Sequence, residues 1–215
     1  MSIKLNAQSG GSVALDAPTQ TTSSADNVYK LPVADGSAGQ VLKTDGSGNL
    51  SWVSQPTGGL EMLDVWTISA EGDATSSSGF MTSNWVRANS YTATIGSAMT
   101  ESSGVFTFPS TGIYEVIFCP QYTYGNQYSR RYLTTQIHKD ISGTVTQIAE
   151  AVGNMPAISG SSYAQAIATT YFDVTNTSTH KIKFKTLAEN STAIMTGHSN
   201  NFLYTFASFK KLGDT

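Results

Sequence analysis

Residues 104–118 read GVFTFPSTGIYEVIF. Two apolar runs, Gly104 to Phe108 and Ile113 to Cys119, flank Pro109-Ser110-Thr111-Gly112. That tetrapeptide is a turn signal: proline presets φ and glycine accepts backbone angles that other residues resist. Both runs are short and rich in β-branched and aromatic side chains, which predicts strands. The same pattern extends outward in both directions. Upstream, Met62 to Ile68 predicts a first strand, and Phe80 to Arg87 another that carries Trp85. Downstream, Arg131 to Lys139 places Leu133, Thr135 and Ile137 on one face, and Ser142-Gly143 turns the chain into Thr144 to Ala151. Tyr163 to Val174 sets Ala164, Ala166, Ala168, Thr170, Phe172 and Val174 on one face. His180 to Thr186 turns Ile182 and Phe184 inward and Lys181, Lys183 and Lys185 outward. The final run, Asn201 to Leu212, carries Phe202, Tyr204 and Phe206 on one face and Leu203, Ala207 and Phe209 on the other. An apolar pattern on both faces fits a central strand, or one whose second face meets a partner subunit.

Roughly eight to ten strands with turn residues between them predict an all-β protein with an antiparallel jelly-roll sandwich. Composition agrees. Charged residues make up only 13% of the chain, against about a quarter in ordinary soluble domains. The 39% hydrophobic content suffices for a packed core. A domain of about 150 residues buries roughly 70% of its chain surface, so residues 60–215 can stand alone.

The first 59 residues differ. Leu31 to Val53, LPVADGSAGQVLKTDGSGNLSWV, alternates short apolar pieces with Asp-Gly, Ala-Gly and Ser-Gly turns. Asp35-Gly36 and Asp45-Gly46 read as tight turns, because glycine takes positive φ without steric cost. The pieces between them are too short to close a core, so the segment is expected to order against copies of itself or a larger body. Ile3 and Leu5, then Val13 and Leu15, alternate with polar neighbours. Gln55-Pro56-Thr57-Gly58-Gly59 is a linker signal. The expected organisation is therefore 1–27, a short N-terminal segment; 28–59, a glycine-rich connector; and 60–215, the sandwich.

Several functional classes are disfavoured. A net charge of −3 and a pI near 5.5 argue against a nucleic-acid partner. The three alternating lysines read as the solvated face of a strand. No apolar run approaches the ~18 residues of a membrane helix, and the opening MSIKLNAQSGGS lacks the apolar core of a signal peptide. Cys119 is the single cysteine; within an apolar strand it is expected to be a buried thiol, in a protein made in a reducing cytoplasm. His138, His180 and His198 sit near turns, away from any nucleophile motif. Asp64, Asp73, Glu101, Glu115 and Glu150 show no spacing that predicts a glycosidase pair. Asp45-Gly46-Ser47-Gly48-Asn49 begins like a calcium loop but has Leu50 at the sixth position and Pro56 at the twelfth, so the turn reading stands. No enzyme activity, catalytic residue, metal ligand or cofactor is assigned.

One cluster is suited to recognition. Tyr122, Tyr124, Asn126, Tyr128, Arg130 and Arg131 fall within ten residues expected to form a loop. Tyrosine offers flat apolar area at small entropic cost, and arginine offers fixed donors. The same residue types serve a glycan or protein ligand and a subunit interface, and both readings stay open.

The run Gly104 to Phe118 resembles the C1q/TNF-like jelly-roll family, in particular its versions in bacteriophage fibres. Asp64-Val65-Trp66, Asn84-Trp85, Phe172-Asp173-Val174-Thr175-Asn176 before the lysine-rich strand, and Phe206 to Gly213 fit the same pattern. The segment Leu31 to Val53 is similar to a linker and shaft module of tailed-phage virion proteins. Together these resemblances imply a homotrimeric virion appendage, either a fibre, a spike or a capsid decoration. Its knob would be residues 60–215 and its shaft 28–59. Its attachment segment, 1–27, would dock on other virion proteins through Ile3, Leu5, Val13 and Leu15. The implied role is structural, with adhesion to a host surface or glycan. The alternatives are a tail-fibre receptor-binding tip and a soluble glycan-binding or glycan-cleaving module.

Overall fold

The structure is a computed structural model. It describes residues 3–6, 12–15, 28–54, 59–74, 79–88, 92–124, 129–190, 192–194, 198–199 and 202–215. Among them every regular element is a β-strand, and no helix is long and apolar enough to cross a membrane. The chain divides into two compact units, Met1–Gly58 and Gly59–Thr215.

In the first unit, β1 (Ile3–Asn6) and β2 (Ser12–Leu15) pair antiparallel, with Ile3 opposite Leu15 and Leu5 opposite Val13. A second hairpin joins β3 (Gln40–Thr44) to β4 (Leu50–Ser54), with Leu42 opposite Trp52. Asp45-Gly46 closes it as expected, with Gly46 at φ 80°. The Asp45 carboxylate accepts the Ser47 amide at 2.8 Å, the Asn49 amide at 3.1 Å and the Asn49 side chain at 2.6 Å. The loop thus satisfies that carboxylate internally. Gly36 departs from expectation, because its φ is not positive. It is required for close approach: a Cβ there would lie 2.6 Å from Trp52 Cδ2. The Trp52 indole N–H also donates to Ala34 O at 3.0 Å, latching the chain across the hairpin. Within residues 28–54 no side chain is buried.

The second unit runs through β5 (Met62–Ile68), β6 (Gly72–Ala74), β7 (Trp85–Arg87), β8 (Thr100–Ser102), β9 (Val105–Thr107), β10 (Gly112–Cys119), β11 (Gln121–Tyr124) and β12 (Arg130–Ile141). It continues through β13 (Thr144–Met155), β14 (Ser162–Gln165), β15 (Ala168–Val174), β16 (His180–Ala188), β17 (Thr192–Ile194), β18 (His198–Ser199), β19 (Phe202–Leu203) and β20 (Phe206–Gly213). One five-stranded sheet has the order β15-β10-β20-β5-β7, and a second has the order β13-β12-β16-β9-β8. A four-stranded sheet, β14-β11-β17-β6, continues the body, and β18 pairs with β19 alone.

The turn Pro109–Gly112 does not make a hairpin. β9 belongs to one five-stranded sheet and β10 to the other, so the turn carries the chain across the sandwich. Between the sheets, Phe118 and Phe209 from the first meet Phe106 and Phe184 from the second. Ring centroids lie 4.6 Å apart for Phe118–Phe184 and 5.1 Å for Phe106–Phe209. Trp85 adds an edge contact to Phe106 at 5.1 Å. Such pairs each contribute about 0.5–1.5 kcal/mol beyond area burial. Ile182 and Phe184 face this core, as the alternation predicts.

Three expected strands are divided or cut short. Residues 163–174 form two strands in different sheets, β14 and β15, because the chain changes sheet at Ala166-Ile167. Residues 201–212 divide into β19 and β20, and β20 takes the central place in its sheet. Only Trp85–Arg87 of the run from Phe80 is a strand; Phe80 makes an isolated bridge to Lys185.

Candidate functional site

The tyrosine and arginine cluster separates into distinct environments. Tyr122 lies on β11 rather than in a loop, and its side chain is fully buried. Its hydroxyl donates to Thr134 O at 2.8 Å and bonds Thr135 Oγ1 at 2.8 Å, while burial raises the phenol pKa. Tyr122 is therefore a core residue, and its ring is withheld from any partner. Tyr124 and Arg130 do come together: the Arg130 guanidinium sits 3.5 Å from the Tyr124 ring centroid. Arg130 is itself buried, with Nε lacking a hydrogen-bond partner. Arg131 points the other way and pairs with Glu189, Nε to Oε1 at 2.5 Å. The Arg131 amide and guanidinium hold the Glu189 carboxyl below its usual range. Asn126 and Tyr128 lie outside the described residues. Ile3, Leu5, Val13 and Leu15 occupy paired register positions of β1 and β2.

The carboxylates considered for catalysis take separate partners. Asp64 is fully buried and accepts the Trp66 indole at 2.9 Å, the Met99 amide at 2.9 Å and Arg87 Nε at 3.3 Å. Arg87 also donates to Met99 O and lies 4.6 Å from the Trp66 ring centroid. Glu101 accepts the Gly104 amide, and Glu115 pairs with Lys210 at 2.8 Å. Glu150 accepts Gln136 and Gln147. The Asp73 side chain lies outside the described residues. These partners tie down strands, and none of them positions two carboxylates about one shared point.

A surface that sequence reasoning missed is the outward face of the sheet β15-β10-β20-β5. Along β10, Tyr114, Val116 and Phe118 point into the core, leaving Ile113, Glu115 and Ile117 outward. Register places Tyr171, Glu115, Lys210 and Leu63 in one row across four strands. Tyr171 is 65% exposed, Leu212 51% and Ile113 40%. The Lys210–Glu115 pair neutralises the charge in the row, and Asp173, opposite Ile113, is the exposed carboxylate at the edge of the face. The alternation in residues 113–119 is the signal that could have found it: an isoleucine at both outward positions flanking Glu115 is unusual for a solvated face.

No protein-family model matches this chain, and no curated protein is significantly similar to it in sequence. Solved structures do match in shape. The structure of Eiger TNF from S. frugiperda is 10% identical, with a TM-score of 0.53 over 73% of this chain and 96% of that one. Murine APRIL, in a crystal structure at pH 5.0, is 13% identical, with a TM-score of 0.47 over 70% of this chain and 98% of that one. With two antiparallel five-stranded sheets packed around one aromatic core, the second unit has a TNF-like jelly-roll fold.

Proposed function

We propose that the chain is a non-enzymatic structural protein of a tailed-phage virion. It assembles as a homotrimer, attaches through residues 1–27, carries 28–59 as a shaft and displays 60–215 as a knob that adheres to host surface or glycans. The observation that carries this reading is the outward apolar face of β15-β10-β20-β5, with Tyr171, Ile113 and Leu212 exposed in one copy. Exposed apolar area of this kind, with Lys210 and Glu115 at its middle already paired, suits burial against further copies of the same chain. The start of the shaft is in keeping with assembly. Val28, Tyr29, Leu31 and Val33 are all more than half exposed, so the segment gains its stability from a surface outside itself.

Light scattering on the purified chain tests assembly: a mass of three chains is expected, and a monomer at micromolar concentration refutes it. Tyr171→Glu places a charge on the apolar face and is expected to yield folded monomers. Deleting residues before Leu60 should leave a folded knob that no longer joins particles, and normal incorporation of the truncated chain would overturn the attachment role.

A further inference from the structure

The outer face of β13-β12-β16 carries a group of side chains that neither assembly nor attachment uses. Lys183 lies opposite His138 and Lys185 opposite Gln136 on the neighbouring strand. Beyond them, His138 faces Gln147 and Gln136 faces Glu150. Phe80 sets its ring edge against His138 at 4.9 Å, and Lys183 Nζ rests 4.3 Å from the Phe80 centroid.

Hydrogen bonds fix the polarity of the group. Gln136 Nε2 donates to Glu150 Oε2 at 2.7 Å, and Gln147 Nε2 donates to the same oxygen at 3.2 Å. Gln136 Oε1 therefore accepts from His138 Nε2 at 3.0 Å. That assigns the hydrogen to Nε2 and leaves Nδ1 as the acceptor of the neutral ring. Among the described residues, neither Lys183 nor Lys185 belongs to an ion pair. The one carboxylate of the group, Glu150, is already engaged by two amides. Two partly buried lysines thus share a face with a histidine, without a paired counter-charge.

We propose that this face is an anion site, in which Lys183, Lys185 and His138 receive a sulfate or phosphate group, either free or borne on an acidic glycan. The charged neighbours bear this out from every side. Along the same face Asp140 accepts the Gly143 amide at 2.9 Å, and Lys181 donates to Thr177 O at 2.7 Å, so both are turned to local partners. β13 contributes Glu150, and the Phe80 segment contributes no charge. Burial, then Lys185, then Lys183 hold the His138 pKa below its ordinary value, with Glu150 opposing. A bound oxyanion reverses that crowding. Protonation also turns Nδ1 into a further donor, so the site binds more tightly as pH falls through the His138 transition. By linkage, the anion raises the His138 pKa by the same factor that protonation raises anion affinity. The site belongs to the knob alone and stands whether or not the chain is part of a virion.

The test follows the ring resonances of His138, His180 and His198 in the full chain against pH, in sodium sulfate and in sodium chloride of equal ionic strength. The expected result is a rise of about one pH unit in the His138 midpoint with sulfate, with the other two histidines unmoved. Lys183→Gln combined with Lys185→Gln should raise that midpoint without sulfate and abolish its response to sulfate. A His138 midpoint indifferent to sulfate overturns the site. So does an equal shift of all three histidines, or a folded double variant that keeps the response. Retention on dextran sulfate but not on uncharged dextran identifies the polymer-borne group as ligand; a sulfate response without retention identifies the free ion.

Discussion

Replacing Asp64 by alanine tests what holds β5 to the rest of the knob. Asp64 is fully buried, and its two oxygens collect the Trp66 indole, the Met99 amide and the Arg87 guanidinium. Alanine leaves the indole and the amide without acceptors, at about 1–3 kcal/mol each. It also deprives Arg87 of its carboxylate. Breaking a buried pair costs about 3–5 kcal/mol, but the Arg87 side chain is 32% exposed and water offsets much of that loss. Arg87 further keeps Met99 O and the Trp66 face. These contributions overlap, so the expected net loss is about 3–5 kcal/mol. For a domain of this size each kcal/mol lowers Tm by about 2–4 °C, which gives a fall of about 6–20 °C. Calorimetry at one fixed protein concentration is the assay, since an assembling chain melts at a concentration-dependent temperature. Asp64→Asn retains an acceptor of the same shape and should lose less than alanine. An alanine variant within about 1 kcal/mol of the parent would refute the reasoning. So would a double-mutant cycle with Arg87→Met that shows no coupling.

Three further outcomes are expected. Gly104→Ala should lower Tm, because Gly104 sits at φ 77° and an added Cβ would lie 2.1 Å from Met81 O; an unchanged melt would contradict that geometry. Cys119 is buried, and burial pushes its thiol up to about 11, so it should resist thiol reagents at pH 8 until denaturant is added; labelling of the native protein would refute its core position. The Asn49 side chain, then the Ser47 amide, hold the Asp45 carboxyl below its usual range. The turn is therefore stabilised above the ordinary aspartate pKa and loosens as pH falls through the depressed one, as amide shifts of Ser47 and Asn49 would report. A transition at the ordinary value of about 3.9 would count against it.

Strands were legible wherever inward and outward residues differ in kind. Met62–Ile68 occurs with the expected limits, and β16 faces Ile182 and Phe184 inward beneath its lysines. Expectation failed where a polar atom is satisfied far away in sequence. Tyr122 reads as a surface residue beside Thr123 and Tyr124. Its hydroxyl is buried only because β12 brings Thr134 and Thr135 to it. Sheet changes were equally hidden: Ala164 to Val174 keeps one alternation while the strand passes from one sheet to another, since both sheets line the same core. Gly36 shows a different ambiguity. An Asp-Gly pair signals positive φ, yet the glycine here serves the close approach of Trp52, which lies sixteen positions later. The outward face around Tyr171 was missed because it spans four strands that register alone brings together.

The central place of β20 sets a timetable for synthesis. β5 is made early and pairs on one side with β7, but its other partner is the last strand of the sheet. Thr67 and Thr205, joined by a hydrogen bond, are separated by 138 residues. At translation rates of about 5–20 residues per second, roughly 7–28 s elapse between their addition to the growing chain. For that interval β5 presents an open edge, and β10 does so from its own synthesis until β20 arrives, with aromatic side chains not yet covered. A nascent knob is therefore a client for whatever shields such edges in the cell. Chains that stall before Phe206 can be expected to aggregate rather than to persist as partly folded monomers.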